Sequence, residues 1–405
     1  MAPRPDPRPA GQGAVDGSSG VRSTVPARID RLPWSPFHTR MVIALGVAWV
    51  LDGLEITIAS NVAGKLTEPG VLGLSAGAAG ALASVYLAGE VFGALLFGRL
   101  SDRLGRRNLF AVTLLVYFAG SAATALTLGA SRGWLGYLYA TRVVAGMGIG
   151  GEYAAINSAI DELVPARYRG RVDVAVNGTY WAGAVVAAVL QVPLLDGAID
   201  PALGWRIAFL LGPTLALGII VVRRNLPESP RWQLMHGRAE AAEASIGRIE
   251  DEVRACGIEL PEVPRGAQIE VRPAGEQGYL ALLRVLFVRH PRRAVVGATL
   301  MITQSFLYNA IFFTYATVLS TFFAVPSART SLYYIPFAVG NLLGPLLLGR
   351  LFDVVGRRAM IGGCYLGSGV LLAADAVAFR AGVYDARTQT VAWCVIFFFA
   401  SAGAS

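Results

Sequence analysis

Long apolar runs alternate along the chain with short polar turns, and their length decides the class. A bilayer core takes about 20 apolar residues of helix per crossing. Ten segments read this way, near 39–61, 76–98, 109–129, 135–159, 173–195, 204–222, 294–323, 330–349, 359–379 and 389–405. The seventh is long enough to tilt, kink or extend past the bilayer. The pattern predicts an all-α membrane protein of about ten spans.

One interruption is longer than a turn. Residues 223–291 are polar and hold "RAEAAEASIGRIEDEVRACG" (238–257), in which Ile246, Ile249 and Val253 have helical spacing. Pro261, Pro264, Pro273 and Gly275 follow as breakers. This stretch reads as a cytoplasmic linker with short helices. It separates a six-span bundle over 37–222 from four spans over 292–405. Residues 1–36, rich in Pro, Gly, Ser and Arg, read as a disordered cytoplasmic tail without an apolar signal region.

Charge then orients the spans. The chain is 54% hydrophobic and 15% charged, with net charge +8, and Lys65 is its one lysine. The arginines sit in short clusters between apolar blocks, which excludes a nucleic-acid surface and matches the positive-inside rule. Arg99, Arg103, Arg106 and Arg107, then Arg167, Arg169 and Arg171, then Arg350, Arg357 and Arg358 share one set of alternate loops. That side is predicted to be cytoplasmic, with the N-terminus, in an inner cell membrane. Cys256, Cys364, Cys394, His38, His236 and His290 have no ligand spacing, so no metal or other cofactor is expected. There is no nucleophile–base pair and no phosphate loop, so the chain is not read as an enzyme.

A repeat follows from two strings. "GRLSDRLGRR" (98–107) returns as "GRLFDVVGRR" (349–358), each after the second span of its half. Gly98, Asp102, Gly105, Arg106 and Arg107 fall on Gly349, Asp353, Gly356, Arg357 and Arg358, an offset of 251 residues. Duplicated halves are a transporter architecture. The offset would end spans 10 and 12 near 410 and 473, so the chain reads as truncated within span 10 of a twelve-span fold.

These residues resemble the major facilitator superfamily. The string 98–107 is similar to that superfamily's loop signature. "TRVVAGMGIGGE" (141–152), "DELVPARYRGR" (161–171) and "PESPRW" (227–232) resemble its sugar-porter and metabolite:proton symporter branch. The resemblance implies a cytoplasmic gate built from the two loop motifs with Glu162, Arg169, Glu228 and Arg231. It also fits the residues, since glycines 98 and 105 allow a tight turn and close helix approach, and Asp102 can pair with arginines or helix N-termini.

Charges within spans are functional candidates by default. They are Asp52, Glu55, Glu90, Arg142 and Glu152. At 1.5 Å per residue, Glu55 and Arg142 lie about 9 and 10 Å below the outer surface, level with each other. That predicts a pair, either a proton carrier with its counter-ion or a permanent structural bridge. "LDGLEITIAS" (51–60) resembles the sugar-porter span with its proton-coupling acid, which places Glu55 and Arg142 in those roles, with Asp52 as the competing carrier. Glu90 and Glu152 rank second. Gln304 and Asn309, in "MITQSFLYNAIFFTYATVL" (301–319), resemble the amides with which sugar porters bind hydroxyls. Asn177, Tyr180 and Trp181 would add hydrogen bonds and a stacking surface. The reading is a monomeric transporter that moves a sugar, polyol or organic acid with protons. A proton-antiport exporter and a non-transporting sensor on the same fold are the alternatives.

Overall fold

The computed structural model describes residues 21–195, 199–223, 228–264, 266–271 and 278–404. The side chains of Asp102 and Asp353 lie outside the described ones. The first six long helices are α2 (Pro36–Lys65), α3 (Ala76–Leu104), α4 (Arg106–Ala125), α5 (Arg132–Leu163), α6 (Ala166–Leu195) and α7 (Pro201–Arg223), preceded by a short α1 (Val25–Arg31). Then come α8 (Pro230–Met235), α9 (Ala239–Ala255) and α10 (Tyr279–Arg284), a π-helical turn at Val285–Arg289, and α11 (Pro291–Phe312). The rest is α12 (Tyr315–Phe323), α13 (Ser327–Val354), α14 (Arg357–Arg380) and α15 (Ala386–Ala404). Among the described residues, α2, α3, α4, α6, α7, α11, α13 and α14 are long and apolar enough to cross a membrane.

Two expected spans fall outside that set. Helix α5 carries Arg142, Glu152 and many glycines, and it buries them by lying between α3 and α4. Helix α15 opens with the polar run Arg387–Thr390. The long seventh segment is broken into α11 and α12 at Phe313 and Thr314, which is the kink its length allowed.

Small residues set the helix spacing. A Cβ on Gly146 would enter the backbone of Tyr86, and one on Gly150 the backbone of Glu90, so α5 touches α3 through its main chain. Such approaches are how spans associate where lipid is as apolar as leucine. In the first half α2 packs on α6 and α7, and α4 on α5 and α7. In the second, α15 packs on α13 and α14. The halves meet where α6 faces α13 and α2 faces α12.

Of the expected disordered tail 1–36, residues 21–36 are ordered, and residues 1–20 lie outside the described residues. Strand β1 (Val21–Ser23) pairs antiparallel with β2 (Ile269–Val271). Val25, Ile29, Leu32 and Phe37 share a core with Leu234, Ile246, Ile249 and Val253 of α8 and α9. Glu250 of α9 accepts from Arg28 Nε (2.9 Å) and Nη2 (2.6 Å) and from Arg31 Nη2 (2.6 Å). Burial alone would raise its pKa, but these two guanidiniums hold it down at about 2, and Glu250 in turn raises that of Arg28. Composition pointed to disorder because Pro, Ser and Arg are frequent there. The 25-29-32 spacing of apolar residues is the helical signal that the composition masks.

Candidate functional site

Glu55 is fully buried in the first half, at the junction of α2, α4, α5 and α7. Its Oε1 accepts from Arg142 Nη1 (2.6 Å) and from the Ser121 hydroxyl (2.7 Å), and its Oε2 from the Tyr117 hydroxyl (2.7 Å). The Arg142 guanidinium lies 4.4 Å from the Tyr86 ring centroid and 4.9 Å from that of Phe209. Helix α7 passes close by because residue 212 is glycine; a Cβ there would strike Tyr117 and stand 2.9 Å from Glu55 Oε2. A buried pair is held only if its remaining hydrogen-bonding positions are filled, and removing one partner costs about 3–5 kcal/mol.

A second acid site lies about one turn toward the basic loops. Asp52 is buried, with its Oδ2 accepting from the Tyr153 hydroxyl and its Oδ1 unbonded among the described residues. Trp49, Asp52, Glu152 and Tyr153 line one narrow crevice, where the Trp49 and Tyr153 rings are 4.7 Å apart. Glu90 is half-buried on α3, and its Oε1 has no hydrogen bond among the described residues. The structure thus brings Glu55 and Arg142 into contact and gives Asp52 a separate, neutral partner.

The substrate candidates divide. Tyr180 and Trp181 of α6 stand at the contact between the halves, where the Trp181 ring meets Tyr308 (6.1 Å), Phe312 (5.9 Å) and Phe337 (6.0 Å). Tyr315 and Tyr334 extend this aromatic wall. The Ser60 hydroxyl crosses it to the Phe312 carbonyl (3.1 Å). Asn309 donates one amide N–H to Ser305 O of its own helix (2.8 Å), which leaves its carbonyl and its second N–H for a ligand. Gln304 and Asn177 are half-buried and make no hydrogen bond among the described residues.

The gate candidates form a network centred on one turn. Gly105 has φ +87°, and a Cβ there would collide with the Glu228 carboxylate. Glu228 accepts from the Arg106 N–H (2.9 Å) and the Arg107 N–H (3.3 Å), an anion on the start of α4. The Arg106 side chain reaches Glu162 Oε1 (3.0 Å) and Ser101 O (2.9 Å). Arg169 turns to Val164 O (2.9 Å) and Asp30 (3.6 Å), not to Glu162. Arg231 is exposed and makes no ion pair among the described residues. Gly98 is not a point of close approach, since the nearest atom to its Cβ position is Ala154 Cβ at 3.9 Å. In the second half Gly356 repeats the turn with φ +101° but has nothing within 4 Å, as does Gly349. Arg357 lies across the halves, its Nη2 3.4 Å from the Cβ position of Gly170, while Arg358 is exposed.

Sequence reasoning missed the hydroxyls that hold the acids, Tyr117, Ser121 and Tyr153. Hydroxyls cost far less than charges in a span, because they can bond the backbone of their own helix, so they do not stand out. Spacing held one signal: Tyr117 and Ser121 are four apart, on one face of α4.

A bundle of membrane-length helices in two repeated parts, with an ion pair buried in one and an aromatic contact between them, defines a membrane transporter of small molecules. Residues 42–404 match the "Sugar (and other) transporter" family, and the chain belongs to it. Its fold is that of the major facilitator superfamily, in the sugar-porter branch. The chain is 27% identical over 374 residues to the "Niacin transporter NiaP" of Acinetobacter baylyi, covering 92% of this chain and 79% of that protein. It is 30% identical over 307 residues to the "Probable plastidic glucose transporter 3" of Arabidopsis thaliana, covering 75% and 57%. The partially occluded inward-open structure of the xylose transporter XylE from E. coli superposes with a TM-score of 0.70 at 20% identity, over 91% of this chain and 84% of that one.

Proposed function

We propose that the protein is a proton symporter that imports a small polar metabolite across the cytoplasmic membrane, as a monomer with its N-terminus inside. The observation that carries this reading is the Glu55–Arg142 pair, a fully buried carboxylate bound by one cation and two hydroxyls. Ionised Glu55 holds Arg142 and ties α2 to α5. A proton on Glu55 removes the charge that Arg142 opposes, and the tie is released. Opening this tie on one side of the membrane and closing it on the other couples proton movement to rocking of the halves 37–222 and 292–405 about the 223–291 linker. Asp52 is the competing carrier. Glu90 and Glu152 shape the field around it. Asp102, Arg106, Glu162 and Glu228, with Asp353 and Arg357 in the second half, close the cytoplasmic side.

Among sugars, polyols and organic acids, the site favours a small aromatic carboxylate. Trp181, Tyr180, Tyr308 and Phe312 form an aromatic cluster at the contact between the halves that suits a flat ring, and the second amide N–H of Asn309 is left to donate to a carboxylate. The likeness to a niacin transporter over nearly the whole chain supports this choice. Sugar is the second reading, favoured by Gln304 and by the likeness to a glucose transporter. Uptake by proteoliposomes with an imposed inward proton gradient distinguishes them. Radiolabelled pyridine and benzene carboxylates should accumulate and hexoses and pentoses should not. Gradient-driven accumulation of a sugar alone would overturn the substrate class, and no gradient-driven flux of any kind would overturn symport.

A further inference from the structure

The segment Tyr279–Arg293 is left unexplained by transport. It reads "YLALLRVLFVRHPRR", and every residue in it is exposed. Leu280 is 83% exposed, Val288 70% and Phe287 53%, and Leu282, Leu283, Val285 and Leu286 are 37–48% exposed, so much apolar surface in the segment is left uncovered by the protein. Water would be a poor solvent for so many large apolar groups in succession. The same segment carries Arg284, Arg289, Arg292 and Arg293, and no Asp or Glu occurs between Glu276 and Asp353.

Both ends of the segment are fixed at membrane depth. At its start the Tyr279 hydroxyl donates to the Leu95 carbonyl on α3, and the Arg99 guanidinium lies 5.7 Å from the Tyr279 ring centroid. Leu95 and its neighbours Val91, Phe92 and Leu96 form the exposed apolar face of α3. Leu95 lies six residues inside Ser101, where the apolar part of α3 ends, or about 9 Å along the axis. At its other end the chain bends at His290 (φ −130°, ψ 49°) and enters the membrane-length helix α11 at Pro291. Between these points α10 and the π-helical turn run as 11 residues, about 16 Å of helix. A short helix with both ends at the membrane boundary lies along it.

We infer that residues 279–293 form an in-plane anchor that binds the anionic phospholipid surface on the side of the 98–107 turn. The leucines, Phe287 and the valines enter the acyl boundary, and the arginines reach outward to headgroup phosphates along their aliphatic stems. Charge complementarity selects the occupant: four cations without a local acid match an anionic leaflet, and a protein partner of ordinary mixed charge would leave them unmatched. The anchor also joins the halves, since it starts on α3 and ends on α11.

The test uses the full chain in vesicles of phosphatidylcholine, with and without phosphatidylglycerol. A nitroxide on Phe287→Cys should be reached by oxygen and not by a water-soluble nickel complex. Access by the nickel complex would place the segment in water, and access by neither would place it under protein, such as a second copy; either result overturns the anchor. The Arg284→Gln, Arg289→Gln, Arg292→Gln, Arg293→Gln quadruple variant should lose its preference for spin-labelled phosphatidylglycerol over phosphatidylcholine, by about fivefold for each arginine at low salt. The corresponding lysine variant, which keeps the charge and controls for insertion, should retain the preference. An unchanged preference in the glutamine variant would overturn the proposal.

Discussion

The two repeated turns allow one contribution to be separated from another within a single chain. Gly105 and Gly356 occupy equivalent places, and both have a backbone that L-residues avoid, φ +87° and ψ 161° against φ +101° and ψ 139°. Alanine at either site incurs backbone strain of about 1–3 kcal/mol. Only at Gly105 does the new Cβ meet anything, and what it meets is the Glu228 carboxylate. Displacing that carboxylate forfeits two charge-assisted hydrogen bonds to the start of α4, at 2.9 and 3.3 Å. The first is worth about 1.5–3 kcal/mol and the longer one less. Gly105→Ala should therefore destabilise by about 2–3 kcal/mol more than Gly356→Ala. Unfolding of the purified protein in a mild detergent, followed by tryptophan fluorescence against denaturant, measures both. Glu228→Ala should account for the difference, and adding it to Gly105→Ala should cost little further because the same bonds are already lost. Equal effects at the two glycines, or full additivity of the double variant, would refute the assignment of Glu228 as the latch on this turn.

Three further outcomes follow from the geometry. Gly212→Ala should lower transport by more than tenfold, because its Cβ would strike Tyr117 and disturb the cradle of Glu55; uptake assays on matched amounts of inserted protein check this. Trp181→Ala should raise KM for an aromatic substrate by about three- to tenfold, the worth of one ring contact, with a smaller effect on any sugar. The Glu250 carboxyl, held at about 2, stabilises docking of residues 21–32 at every pH above the ordinary carboxylate range, and that stability is lost as pH falls from about 4.5 through about 2. A spin label on Arg22→Cys should stay immobile at pH 6 and become mobile over that acid window, whereas in Glu250→Gln it should already be mobile at pH 6.

Charge and length made most of the plan legible. The Glu55–Arg142 contact could be read from depth alone, since a carboxylate and a guanidinium level with each other in one bundle have few alternatives to pairing. The Gly105 turn could be read because the string around it occurs twice. Partners without charge were not legible: Tyr117, Ser121 and Tyr153 look like any packing residues until the helix rotations are known. The partner of Arg169 was not legible for a related reason: Asp30 belongs to α1, which composition assigns to a disordered tail. Gly98 shows the limit of motif reasoning, since the residue fits the pattern while the close approach it implies occurs instead at Gly146 and Gly150.

The central claim is that Glu55 carries the coupled proton. Accumulation under an imposed proton gradient tests it most directly, with substrate counterflow as the control. One pH unit is worth about 1.4 kcal/mol per proton, a tenfold accumulation for one proton per substrate. The protein should concentrate its substrate about tenfold per unit of gradient, and Glu55→Gln should show none while still catalysing counterflow. Undiminished accumulation by Glu55→Gln would contradict the account.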